Sequence, residues 1–199
     1  MATAVRDKQG RFKTAGKSSG SGIGVLAGTA AAGAALGVLA MLGRKAAMHA
    51  PTALAGNWDE ALKAEHQAAF RLFDAFEATG EGATAKRNML LSQLKHALMK
   101  HAIEEESVIY PALRDSGQVE AADALTKEHG YVKQYLYDLE NMPSNSPEWI
   151  AKIREFRADL ESHVAEEENH LFPALRAQLS EEKNKALTLS MNKEGFKVA

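Results

Sequence analysis

The segment from His101 to Arg114, HAIEEESVIYPALR, returns as HVAEEENHLFPALR from His163 to Arg176. A chain that carries such a unit twice is expected to place both copies in similar surroundings, which favours folds with an approximate internal two-fold. The copies share a His, three Glu, a Pro, an Ala, a Leu and an Arg at identical offsets. Recurring apolar positions fill a core; recurring polar ones need a different reason. In each copy the His is followed by Glu four residues later, His101/Glu105 and His163/Glu167. Four residues are slightly more than one helical turn, so each pair leaves one face of a helix with Cβ atoms roughly 6 Å apart. One metal ion can take both side chains at that reach.

The likeness extends upstream, since Ala61-Leu62 with Glu65-His66 returns as Ala124-Leu125 with Glu128-His129. Apolar periodicity after Pro51 predicts four amphipathic helices. The first opens at Asn57, with Glu60 at capping-box spacing, and ends near Thr79-Gly80. The second runs from about Thr84, is bent by Pro111 and closes at Asp115-Ser116-Gly117. The third covers Gln118 to Asn141, and the fourth runs from Pro147 to about Leu179. Residues 180–199 are expected to add one short helix and then fray. Short connections favour antiparallel neighbours. The fold class is therefore all-α: an up-down-up-down antiparallel four-helix bundle made of two similar hairpins, over residues 57–179.

An Ala/Gly-rich helix is expected outside the bundle. Residues 1–22 form a basic, Gly/Ser-rich arm of net charge +4, which leaves −6 for the remainder of a chain whose total is −2. An acidic body has no footprint for nucleic acid. Residues 23–43 lack charge and carry GxxxG spacings at Gly24/Gly28 and Gly33/Gly37, so 23–42 reads as a membrane-crossing or Gly-zipper helix. A flexible tether, or a signal peptide ending near Ala53-Leu54-Ala55, are the alternatives. Residues 44–56 are a linker. The chain is placed as membrane-anchored by one N-terminal helix, otherwise cytoplasmic, with homo-oligomers formed through the zipper as a further expectation.

No cysteine is present, which excludes disulfides, thiolate zinc sites and thiol catalysis. Any metal must be held by His, Asp and Glu. The two hairpins supply His66, His101, Glu105, His129, His163 and Glu167, and a two-fold axis sorts them into two similar sets. Two cations a few ångströms apart repel, and shared carboxylates offset that repulsion. Taken singly, a His and Glu four apart is a surface ion pair, and an inward His is a hydrogen-bonded core residue. Jointly, the six share a register with leucines and phenylalanines that must be buried, and charge is not placed there without a partner. Imidazole with carboxylate suits iron, manganese or zinc rather than copper(I) or an iron–sulfur cluster.

At this point residues 57–179, about 60% of the chain, resemble a hemerythrin-like HHE cation-binding domain. The matching motifs are Glu65-His66, His101/Glu105, Glu128-His129 and His163/Glu167, with Tyr110-Pro111-Ala112-Leu113 and Phe172-Pro173-Ala174-Leu175. The resemblance implies two non-haem irons per chain, bridged by Glu105 and Glu167 and able to meet O2, NO or peroxide. Oxygen-carrying members have a further histidine four residues after the third-helix ligand, where this chain has Lys133. One imidazole fewer leaves room for redox chemistry. Lys133 and His170, the latter seven residues beyond His163, are candidates for hydrogen-bonding around the site rather than ligation. Glu104 and Glu166 read as a solvated face. Three functions stay open: a di-iron module that binds or senses O2, NO or iron; a di-iron enzyme breaking down peroxide or oxidising iron; and a metal-stabilised structural bundle.

Overall fold

The structure is a computed structural model and describes residues 56–198. The arm, the 23–43 segment and all of the linker but Gly56 lie outside the described residues. Within them the helices are α1 (Trp58–Glu77), α2 (Thr84–Glu104), α3 (Tyr110–Asp115), α4 (Val119–Asn141), α5 (Pro147–Glu166), α6 (Phe172–Gln178) and α7 (Glu181–Val198). Two π-helical turns, Glu105–Ile109 and Glu167–Leu171, join α2 to α3 and α5 to α6 without a break. Four rods result, and they form the antiparallel bundle in which α1 lies against α2 and α5, and α4 against α2 and α5. Among the described residues no helix is long and apolar enough to cross a membrane.

Each π turn comes just before a proline, at Pro111 and Pro173. In a continuous α-helix the proline ring would collide with the carbonyl four residues back. The wider π turn relieves that contact and inserts about one residue into the spiral. Inward positions within it are therefore shifted by one: Ile109 and Leu171, the last residues of the two turns, are buried, whereas His170 is 67% exposed. The expectation that His170 faces inward fails for this reason, because a seven-residue step was counted along an unbroken α-helix.

Two apolar clusters fill the bundle. Phe73, Phe76, Leu94, Trp149 and Phe156 anchor one, and Trp58, Leu62, Ile109, Leu113 and Phe172 anchor the other. Each of these large side chains contributes roughly 1.5–3 kcal/mol by leaving water. Trp149 donates its indole N–H to the Leu139 carbonyl, 3.0 Å, so its one polar atom is satisfied. The loop closing α3 uses Gly117 at φ 90°, with Gln118 N–H donating to Leu113 O and Gly117 N–H to Arg114 O, a Schellman closure. Ser146 caps α5 by accepting from Trp149 N–H, with Pro147 in the first turn.

Two expectations need correction. Asn57 does not cap α1 with its side chain; its amide donates to Glu60 Oε2, and the Trp58 N–H is satisfied by Thr188 Oγ1, 3.1 Å away on α7. Nor does the chain fray after Ser180. The 18-residue α7 packs on α1, α2 and the first π turn, with Met191 fully buried and Asn184 Oδ1 accepting from Trp58 Nε1 at 2.9 Å. Its buried residues are Asn184, Met191 and Gly195, with Leu187 partly buried against the same core. Large apolar residues are few on this face and interrupted by polar ones, so the stripe that announces the helix is weak.

Candidate metal centre

Along every rod one level lies between the two apolar clusters, and that level carries His66 on α1, His101 on α2, His129 on α4 and His163 on α5. Glu105 and Glu167 open the two π turns one helical turn further on. All six are buried, both glutamates completely. Buried ionisable groups persist only when paired or hydrogen-bonded. The partners here follow one rule.

Each imidazole turns its Nδ1 outward to a carboxylate. His66 Nδ1 meets Glu168 Oε1 at 2.8 Å, and His129 Nδ1 meets Glu106 Oε1 at 2.9 Å. His101 Nδ1 meets Glu65 Oε2 at 3.1 Å, and His163 Nδ1 meets Glu128 Oε2 at 2.7 Å. An ionised carboxylate only accepts, so in each ring Nδ1 carries the proton and donates. This leaves the four Nε2 atoms as lone-pair donors aimed at the interior. Such a carboxylate behind a histidine fixes the tautomer and the ring angle for metal binding.

Two donor sets emerge, each with its polar atoms within 4.8 Å of one another: His66, His101, Glu105 and Glu167, called A below, and Glu105, His129, His163 and Glu167, called B. Both glutamates belong to both sets. Glu167 sends Oε2 toward His66 Nε2 and Oε1 toward His163 Nε2, each 3.4 Å away. Glu105 Oε2 stands 3.1 Å from His101 Nε2 and 3.3 Å from His129 Nε2.

The residues fit metal ions on three counts. His66 Nε2 and His101 Nε2 are 2.9 Å apart. With both ring protons on Nδ1, two lone pairs face each other, and only a proton or a cation between them removes the repulsion. Adjacent nitrogens bound to one ion at about 2.0–2.1 Å are separated by roughly this much. Second, His163 Nε2, Glu105 Oε1 and Glu167 Oε2 are buried with no hydrogen-bond partner. Third, the metal-free electrostatics are those of a cluster awaiting positive charge. Burial works to keep His101 neutral, yet Glu105 and Glu65 hold its pKa well above the usual value. Burial works to raise Glu105, yet His101 and His129 hold it well below. The carboxylates thus draw in whatever cations are to hand.

The structure brings the six sequence-derived residues into one cluster and leaves two other candidates at its margin. His170 is exposed, with Glu166 3.9 Å away. Lys133, 46% exposed, does not reach the interior, and its Nζ donates to Glu106 Oε1 at 3.0 Å, behind His129. Glu166 is solvated, but Glu104 is not. It is wholly buried, accepts from Lys100 Nζ at 2.7 Å, and is covered by α7. Lys100 also donates to Glu65 Oε1 at 2.5 Å, so a buried ion network backs His101.

Sequence reasoning misses Glu106 and Glu168 altogether, and quotes Glu65, Glu128 and Tyr110 within motifs without giving them a role at the site. Signals existed for the glutamates, since Glu precedes His66 and His129 alike and the third Glu of each repeat follows the inward one. Tyr110, 2% exposed, places its hydroxyl among the donors of set B. The repeat has Phe172 at the same place, so the repeat by itself does not single out a polar role there. Beside His163 lies a cleft of about 460 Å³ between α4 and α5, lined also by Tyr131, Tyr135 and Phe156.

Comparison with known proteins agrees with this geometry. The family model of the hemerythrin HHE cation binding domain matches residues 59–175. An uncharacterized hemerythrin-like protein of Schizosaccharomyces pombe is 35% identical over 97 residues, 47% of each chain. A DNA nickase of Nostoc is 26% identical over 126 residues, 63% of this chain and 35% of its own length. The chain thus spans about half or less of these curated relatives, and no solved structure matches. The chain belongs to the hemerythrin HHE cation-binding family.

Proposed function

We propose that this member of the hemerythrin HHE family holds two non-haem iron ions, one in set A and one in set B, and binds or senses O2, NO or iron. The observation that carries the reading is the pair of buried donor sets sharing Glu105 and Glu167. Imidazole and carboxylate donors without thiolate suit iron, with manganese and zinc behind it. Bound iron would supply reversible ligand binding and electron transfer. The protein's own contribution is positional. Four carboxylates fix four rings, two shared glutamates set the spacing of the ions, and the apolar clusters on either side keep bulk water from the donors.

The ligand expected is a small one, O2, NO or peroxide. The nicking named for the Nostoc relative belongs to a protein this chain matches over 35% of its length, and the acidic body gives no reason to carry it across. Membrane attachment through 23–42 and self-association remain proposals resting on the GxxxG spacings. A second reading, turnover of peroxide or oxidation of iron, is favoured by the cleft that His163 helps to line. It would give a solute larger than a diatomic gas an approach toward the donor layer.

The test is to load the full chain anaerobically with ferrous iron and record its absorption before and after O2, NO or peroxide. A stoichiometric change that reverses when the ligand is removed is expected. Continuous consumption of peroxide would favour the enzyme. Failure to retain iron, with no difference between the wild type and H101A/H163A, would remove the centre.

A further inference from the structure

The two halves of the bundle differ at one atom inside the donor layer, the hydroxyl of Tyr110. It lies 2.9 Å from Glu167 Oε1, 3.0 Å from His129 Nε2 and 3.2 Å from Glu105 Oε2. These are three of the four residues of set B. All three atoms are acceptors, because the glutamates are carboxylates and the His129 proton is committed to Glu106 through Nδ1. A phenol has one proton and satisfies one acceptor. The other two contacts set oxygen lone pairs against lone pairs at about 3 Å in a site without water exposure. A proton on His129 Nε2 would relieve one of these contacts; a cation shared by all four atoms makes every one of them favourable. In the other half Phe172 replaces the tyrosine and stacks on His66, ring centroids 6.3 Å apart and planes 13° apart, adding no donor to set A.

We infer that the Tyr110 oxygen is a metal ligand in set B alone, so that the two metal positions are chemically unequal. The inference rests on the two-ion reading above. On coordination the phenol O–H bond is replaced by an oxygen–metal bond, and the proton leaves to solvent, as protons do when ligands are metallated. Set B then offers five donor residues and set A four. An incoming ligand is expected at the ion of set A, beside His66, His101 and Phe172. This also changes what the missing imidazole at Lys133 means. The oxygen of Tyr110 supplies set B with a donor from the repeat itself, and the position left open belongs to the opposite half.

The experiment uses the full chain loaded with ferric iron. Tyrosinate bound to ferric iron gives a visible charge-transfer band, and resonance Raman excitation within it enhances tyrosine ring modes. The wild type is expected to show both, and Y110F to lose both while retaining its iron. F172Y is expected to gain intensity. Should Y110F fail to fold, Y131F/Y135F/Y137F leaves Tyr110 as the only tyrosine of the four in the chain. Ring-deuterated tyrosine in that variant must shift the enhanced modes. Two irons bound with no tyrosinate signal in wild type, or a signal unchanged in Y110F, would overturn the inference and leave the di-iron reading standing. Absence of iron altogether would overturn the di-iron reading itself.

Discussion

A carboxylate stands behind each histidine of the centre, and its worth can be measured one residue at a time. Glu128 is half exposed and touches the site only through His163 Nδ1. Replacing it by Gln substitutes a neutral acceptor for a charged one and weakens the hold on the ring. E128Q is expected to lower metal affinity by roughly 10- to 100-fold, read by chelator competition, with the melting temperature of the metal-free protein nearly unchanged. An equal loss of stability and affinity would mean that Glu128 is structural. Glu104 makes a different prediction. Burial, and then the nearby charge of Glu65, raise its pKa to about 8 from 4.5. The folded metal-free chain therefore binds one more proton here than the unfolded chain between those values, and stability from this group declines as pH rises through that window. E104Q, which mimics the protonated acid, is expected to flatten the decline. Thermal melts from pH 5 to 9 check it; an unchanged slope would assign the dependence elsewhere.

Among the elements, α7 and the two π turns do most to shape the site beyond the four rods. Gly195 on α7 faces Glu104, and a Cβ there would stand 1.6 Å from Glu104 Oε1. Glycine in a helix ordinarily costs about 1 kcal/mol against alanine. Here the clash should outweigh that gain, because the carboxylate is wholly buried and held by Lys100, so moving it means rebuilding that contact. G195A is expected to destabilise by roughly 1–3 kcal/mol, seen in denaturant unfolding. A stabilised variant would show that α7 is free to lift. The elements also explain what was legible beforehand. Helical spacing places His101 with Glu105 and His163 with Glu167 because each pair lies at the end of a regular stretch. The same count misplaces His170, since it lies within the second π turn, where the α-helical step no longer holds. Glu104 looked solvated because its equivalent Glu166 is, and only packing of a remote helix with Asn, Met and Gly on its inner face distinguishes them. The alternation of Tyr110 with Phe172 in the repeat gives no sequence signal for the hydroxyl, whose role appears only in its contacts with Glu105, His129 and Glu167.

For the whole molecule, a bundle that buries four histidines and two central glutamates has traded apolar core for a polar layer. Such a layer is costly unless a cation completes it. Metal should therefore stabilise the fold by mass action, and chelation should lower the melting temperature. The internal two-fold likeness bears on function as well. Equivalent hairpins give two donor sets, and sharing Glu105 and Glu167 makes those sets one centre rather than two isolated sites. The most direct measurement is the metal content of the full chain after ferrous loading and removal of loosely held ions, for wild type and for E105A and E167A. About two irons per wild-type chain, with either single substitution reducing occupancy of both positions, is the expected result. One iron per chain, or one position emptied while the other stays full, would contradict a centre built on shared carboxylates.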